Sequence, residues 1–302
     1  MPKDDNKHTL LLAVAAIAAT AGALAVPLSS LMRRAYIQHR HKRHTRFTLG
    51  SWRAREYGQA VRYLLAYLEL PWQDRYFELG PAPDYNQLAW VDAKGEAARD
   101  KADVPFSEQG LTTYLVMEER GWLKPKEGGK EGGGWGKKRK GVKHARTIMR
   151  CLGRQHGLIG RNVKEMEAVD LLLDELQDFN LAIHALVHSP SFLREKERFL
   201  TSVLPTRLRG FENWLLNEKR VHKKSAPTGG LWLVGGRLTV ADFVMYDLLC
   251  QARTLCPSAL TTLRELQDFT YRFESLPAIA AFLGSEACQL LPLYTSRAAF
   301  NP

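Results

Sequence analysis

The chain has 302 residues, of which 45% are hydrophobic and 25% charged, and its formal net charge is +11. This composition excludes a disordered, collagenous or disulfide-scaffold chain and suits one large or two modest globular domains. The positive balance raises nucleic-acid binding, but no recognition-helix pattern, zinc spacing or aromatic platform accompanies the lysines, so no nucleic-acid partner is expected.

Residues 1–8 are polar. Residues 9–26, TLLLAVAAIAATAGALAV, carry no charge, and extension to Met32 gives a stretch of transmembrane length, so 9–32 reads as a transmembrane or targeting segment. Its C-terminal flank, the basic linker 33–46, holds Arg33, Arg34, Arg40, Lys42, Arg43 and Arg46 without an acid. A single-pass anchor with this flank places the folded part on the cytosolic or matrix-like side, and anionic lipid is its natural partner. Ala23-Leu24-Ala25 resembles a signal-peptidase site, so cleavage of a secretory or organelle-targeting segment is the alternative. His39, His41 and His44 read as part of a solvated linker, with no acid or cysteine to close a metal site.

From Phe47 to residue 158 the pattern is α/β. FTL is a short strand, and Ala60, Val61, Leu64, Leu65 and Leu68 have helical spacing. DRYFEL, 74–79, has strand character, and DVPF, 103–106, begins a third strand. Residues 111–139 are read as an inserted loop, because KPKEGGKEGGGWGKKRKG is too rich in glycine and lysine to repay ordering. A brief strand around Val142 and a helix from Arg146 to His156 follow.

Residues 159–302 read as helical, with a long amphipathic segment through Met166, Leu172, Leu176, Phe179 and Leu186. Further helices are predicted over 191–218, 239–253, 260–272 and 277–286. Thr239 and Asp242 have capping-box spacing, which makes Asp242 a structural carboxylate. Cys151, Cys250, Cys256 and Cys288 form no CxxC pair and read as free thiols. No three convergent ligands are legible, so no metal is expected.

At Leu49-Gly50-Ser51-Trp52-Arg53-Ala54-Arg55 the chain resembles mu-class cytosolic glutathione transferases. The likeness continues through ELGPAPDYNQLAWVDAK, DVPF, RTIMRCLGRQHGL and LTVADFVMYDLL, with insertions near 111–139 and 219–228. The resemblance implies a glutathione-transferase fold: an α/β thioredoxin-like domain, 47–158, that binds glutathione, and an all-α domain, 159–302, that supplies the electrophile pocket. It also implies a homodimer, and glutathione as cosubstrate with no other cofactor.

Carried over by position, Trp90 and Lys94 would hold the glycyl end, Trp52 would stand beside the catalytic position, and Val104-Pro105 would form the cis-proline turn. The catalytic tyrosine of the family falls on Ser51, the glutamine-serine pair of the γ-glutamyl site on His144-Ala145, and the electrophile-pocket tyrosine on His188. The asparagine before the cis-proline falls on Asp103. These departures leave two functions open: a membrane-tethered transferase acting on hydrophobic electrophiles, or a non-catalytic subunit of a membrane complex that keeps the fold as a scaffold.

Overall fold

The computed structural model describes residues 32, 35–37, 39, 41, 42, 44–99, 113–123, 134–221 and 232–302. Strand β1, Thr45–Trp52, alternates buried and less buried positions as a half-buried strand requires. After a 3-10 turn at Glu56–Gly58, helix α1 spans Gln59–Tyr67, and it is buried almost all round because the sheet lies on one side and helices on the other. Strand β2, Trp72–Phe77, returns parallel to β1, with Ser51 opposite Tyr76 and Trp52 opposite Phe77. Helix α2, Leu88–Arg99, leads away from β2.

Strand β3, Tyr114–Leu123, pairs antiparallel with β1, and β4, Gly134–Lys143, pairs antiparallel with β3. The sheet order is β2-β1-β3-β4. This corrects the expectation of a loop over 111–139: most of the insertion extends a hairpin. The register runs unbroken from Tyr114 opposite Lys143 to Leu123 opposite Gly134. A continuous antiparallel ladder satisfies the backbone N–H and C=O groups of both strands whatever their side chains, which glycine and lysine content alone does not reveal. The DVPF strand expected at 103–106 lies outside the described residues.

Helix α3, Ala145–His156, follows β4 and ends on Gly157 at φ 74°, a left-handed cap that glycine adopts without penalty. The second domain begins with α4, Val163–Val187, whose N-cap Asn162 accepts the Glu165 N–H. Then come α5, Phe192–Arg198, and α6, Leu204–Val221, joined by a π turn at Phe199–Val203. Pro205 lacks the N–H for a regular ladder there. Helices α7, Val240–Leu255, α8, Arg264–Glu274, α9, Pro277–Leu283, and α10, Glu286–Gln289, complete the domain.

One apolar core joins the two domains. Tyr63 of α1 is buried edge-on against Tyr246, Phe273 and Phe282, with ring centroids 5.2, 6.0 and 5.8 Å away. The Thr239–Asp242 cap forms as expected: Asp242 Oδ2 accepts from Thr239 N at 2.6 Å and Thr239 Oγ1 at 2.9 Å, and its Oδ1 accepts from Leu233 N at 2.9 Å. Burial pushes the Asp242 carboxyl up to about 7 despite these donors.

The linker reading fails at its end. His41 is only 6% exposed. It packs edge-on against Phe47, and its Nδ1 lies 3.1 Å from His156 Nε2. An imidazole with an aromatic face and a hydrogen-bond partner tolerates burial that a solvated tract would not. All four cysteines are free thiols, with Cys288 buried and the others half-buried. Among the described residues no helix is long and apolar enough to cross a membrane. The segment expected to do so lies outside them except for Met32.

Candidate active site

A cleft of about 790 Å³ opens where the C-terminal end of β1, the start of β3, the N-terminus of α3 and the side of α4 meet. Ser51, Trp52, Glu56, Tyr57, Thr113, His144 and Ala145 line it on the first domain, and Asp174 and Gln177 on α4. Gly50, beside Ser51 on β1, leaves room for Tyr114 of the neighbouring small core. A Cβ there would lie 2.0 Å from the Tyr114 ring, which crosses directly over the strand.

The chain turns from β4 into α3 at His144, held at φ 66°. The His144 N–H is anchored to Thr113 O at 2.8 Å, so the strand and the helix start are fixed to each other. The first turn of α3 leaves the N–H groups of Ala145, Arg146 and Thr147 without intrahelical acceptors, and these carry the positive end of the helix dipole. Such a terminus suits a carboxylate. The nearby arginines are engaged with α4: Arg146 Nη1 lies 2.6 Å from Asp174 Oδ1 and Arg150 Nε 2.6 Å from Asp170 Oδ1.

Ser51 is 4% exposed, and its hydroxyl is already engaged. Its Oγ accepts from Arg62 Nη2 at 2.7 Å and donates to Trp52 O at 3.1 Å. Arg62, on α1, is itself fully buried. Its Nε donates to Asp74 Oδ1 of β2 at 2.9 Å, and Nη1 reaches Ala54 O at 3.3 Å. Beneath the cleft there is therefore a fixed cation whose hydrogen bond ends on Ser51. The guanidinium is ion-paired with Asp74, so what it offers the cleft is a donor fixed on Ser51.

Opposite this floor, the turn after β1 is fastened to the C-terminal segment. Arg55 donates to Cys288 O and Leu291 O at 3.0 and 3.1 Å, and Thr295 N donates to Glu56 Oε1 at 2.8 Å. Glu56 sits at φ 24°, a conformation that costs a non-glycine residue on the order of 1–3 kcal/mol. Burial pushes its carboxyl up from the usual range, opposed by the Thr295 N–H and by His188. His188 Nε2 lies 3.7 Å from Glu56 Oε1. His184, one turn earlier on α4, stacks on His188 with ring centroids 3.9 Å apart. Burial, with His188 and Arg297 nearby, holds the His184 imidazole down to about 4, so it is neutral at ordinary pH.

The positions expected from sequence are only partly brought together. Ser51, Trp52 and His144 line the cleft, and His188 stands beside Glu56 at its edge. Trp90 does not line it. It is 3% exposed and packs edge-on against Phe77 at 5.3 Å in a small core with Tyr114 and Ala93. Val104, Pro105 and the side chain of Lys94 lie outside the described residues. The residue that leads into β3 at the cleft edge is Thr113, nine positions from the turn predicted at Val104-Pro105, and sequence reasoning missed it. It also missed Arg62, Glu56 and His184. A lone arginine inside the apolar run AVRYLLAY was the one available signal for Arg62.

Residues 178–286 match the family described as "Glutathione S-transferase, C-terminal domain". The chain is 28% identical over 254 residues to the chicken (Gallus gallus) protein "Glutathione S-transferase 2", covering 84% of this chain and 97% of that one. It is 28% identical over 255 residues to rat (Rattus norvegicus) "Glutathione S-transferase Mu 2", covering 84% and 98%. With mouse (Mus musculus) "Glutathione S-transferase Mu 6" the identity is 29% over 254 residues, covering 84% and 98%. Among solved structures, the Onchocerca volvulus pi-class glutathione S-transferase superposes with a TM-score of 0.61 at 17% identity, covering 83% of this chain and 99% of that one. The chain thus carries the glutathione-transferase fold and is similar to mu-named transferases along nearly their whole length.

Proposed function

We propose that this protein is a glutathione transferase that binds reduced glutathione in the cleft and adds its sulfur to hydrophobic electrophiles. The observation that carries this reading is the meeting of the α3 N-terminus, Thr113 and the Ser51–Arg62 floor in one cleft. The free N–H groups of α3 suit the γ-glutamyl carboxylate, and Thr113, at the cleft where β3 begins, stands beside them. Arg62, acting through Ser51, favours the thiolate over the thiol. In the reaction the sulfur forms a bond to the electrophilic carbon, the leaving group departs with the bonding electrons, and the thiol proton passes to solvent.

The full-length relatives support the same reading, since they are named as glutathione S-transferases over 97–98% of their length. The test is thioether formation from glutathione and an activated aryl halide, followed by mass spectrometry and rate. A rate no greater than that without protein, at saturating glutathione, would reject the catalytic reading.

A second reading, a non-catalytic binding or structural subunit of a membrane complex, is favoured by one observation: the Ser51 hydroxyl is committed to Arg62 and Trp52 rather than free to donate to sulfur. In either case we place residues 9–32 as a single-pass anchor with the folded domains on the cytosolic or matrix-like side. The uncharged run and its basic flank support this placement. Release of the protein from membranes by alkaline carbonate would contradict it. A homodimer is part of the proposal, tested by light scattering of the purified protein.

A further inference from the structure

We propose that Glu56, His184 and His188 form a binding site for a divalent first-row transition metal, with zinc as the reference ion. Their candidate ligand atoms all lie within 4.8 Å of one another, at the joint between the two domains. His184 and His188 are four residues apart on α4 and its C-cap, the spacing that puts two imidazoles on one helix face. Glu56 reaches them from the turn after β1, and its Oε1 is 3.7 Å from His188 Nε2. A tetrahedral ion with bonds of about 2.0–2.2 Å needs ligand atoms roughly 3.4 Å apart, so binding requires the stacked His184 and His188 rings to turn out of their stack until both lone pairs meet near Glu56.

The surroundings orient these groups as ligands rather than as core filler. His188 Nδ1 lies 3.0 Å from His184 O, so a proton on Nδ1 is held by that carbonyl and Nε2 keeps its lone pair toward Glu56. This is the usual second contact of a metal-binding histidine. Glu56 is fixed in the same way by the Thr295 N–H at 2.8 Å. Two imidazoles and one carboxylate suit zinc, and three protein ligands leave a fourth position for water or a substrate atom. Of the three ligands, Glu56 also lines the main cleft. The site would pin the β1 turn, α4 and, through Thr295, the C-terminal segment. None of this rests on the transferase reading, since the ligand set is complete without glutathione.

The test is calorimetric titration of zinc chloride into the full chain, with cobalt(II) absorption as a measure of coordination. The expected result is a site with a dissociation constant at or below about 1 μM. Glu56→Gln and His184→Ala should each weaken it at least about 30-fold and abolish the tetrahedral cobalt bands. His156→Ala, in the remote histidine pair, should leave both unchanged. Circular dichroism checks each fold, and His188→Gln replaces any variant that fails to fold. No zinc binding up to about 100 μM overturns the proposal. So does binding that survives Glu56→Gln and His184→Ala unchanged, which would belong to other histidines of the chain.

Discussion

Replacing Ser51 by alanine separates the two roles available to its hydroxyl. Ser51 Oγ is the acceptor for Arg62 Nη2 at 2.7 Å, and Arg62 is fully buried. Truncation leaves a buried N–H of the guanidinium without that acceptor, while Asp74 and Ala54 O keep their bonds to the same group. Loss of one hydrogen bond to a buried charge costs about 1.5–3 kcal/mol, and the lost Ser51–Trp52 bond adds little because its acceptor stays near the cleft. Urea denaturation of Ser51→Ala should therefore show a stability loss of about 1.5–3 kcal/mol with an unchanged m-value. In the same variant the pKa of bound glutathione, followed by thiolate absorbance, should rise by less than about 1 unit, because the Arg62 charge remains. A stability loss under about 0.5 kcal/mol together with a larger pKa rise would refute the account. Ser51 would then be a direct donor to sulfur and not the acceptor of a buried cation.

Other expected outcomes follow from the same geometry. Gly50→Ala must displace the buried Tyr114 ring and should cost about 1–3 kcal/mol in denaturant unfolding. Tyr63→Ala empties the aromatic joint between the domains and should cost about 3–5 kcal/mol, read by the same unfolding curve. Asp242→Ala removes the acceptor of the Thr239 and Leu233 N–H groups and should cost about 2–4 kcal/mol. Burial holds His156 down to about 4, so its neutral form stabilises the fold above pH 6.5, and that stability is lost as pH falls toward 4. Burial raises Asp247 to about 7, so its contribution is greatest near pH 4 and is lost as pH rises through 7. Melting temperatures across pH 4–8 should show a weaker acid-side fall in His156→Phe and a weaker fall toward neutral pH in Asp247→Asn.

The helical domain was legible because its signals are local. Leu172, Leu176 and Phe179 repeat at helical spacing over a 25-residue helix, and Thr239 and Asp242 mark the start of α7 within four positions. The β3–β4 hairpin was not legible, since its support comes from a backbone ladder between residues far apart in sequence, such as Tyr114 and Lys143. The site suffered from the same cause. Thr113 escaped notice because an insertion of unusual composition hid where β3 begins, while the turn predicted at Val104-Pro105 lies outside the described residues. Ser51 and His144 were found by position alone, yet their meaning depends on partners that only tertiary packing brings near: Arg62 for one, Thr113 for the other. Trp90 shows the reverse case, where a matching residue type proved to serve the core.

The most direct test of the central claim is calorimetric binding of reduced glutathione to the purified protein. The account predicts a dissociation constant below about 1 mM, a range occupied at millimolar thiol. Absence of binding up to about 10 mM in a correctly folded protein would contradict it and leave the cleft as part of a scaffold.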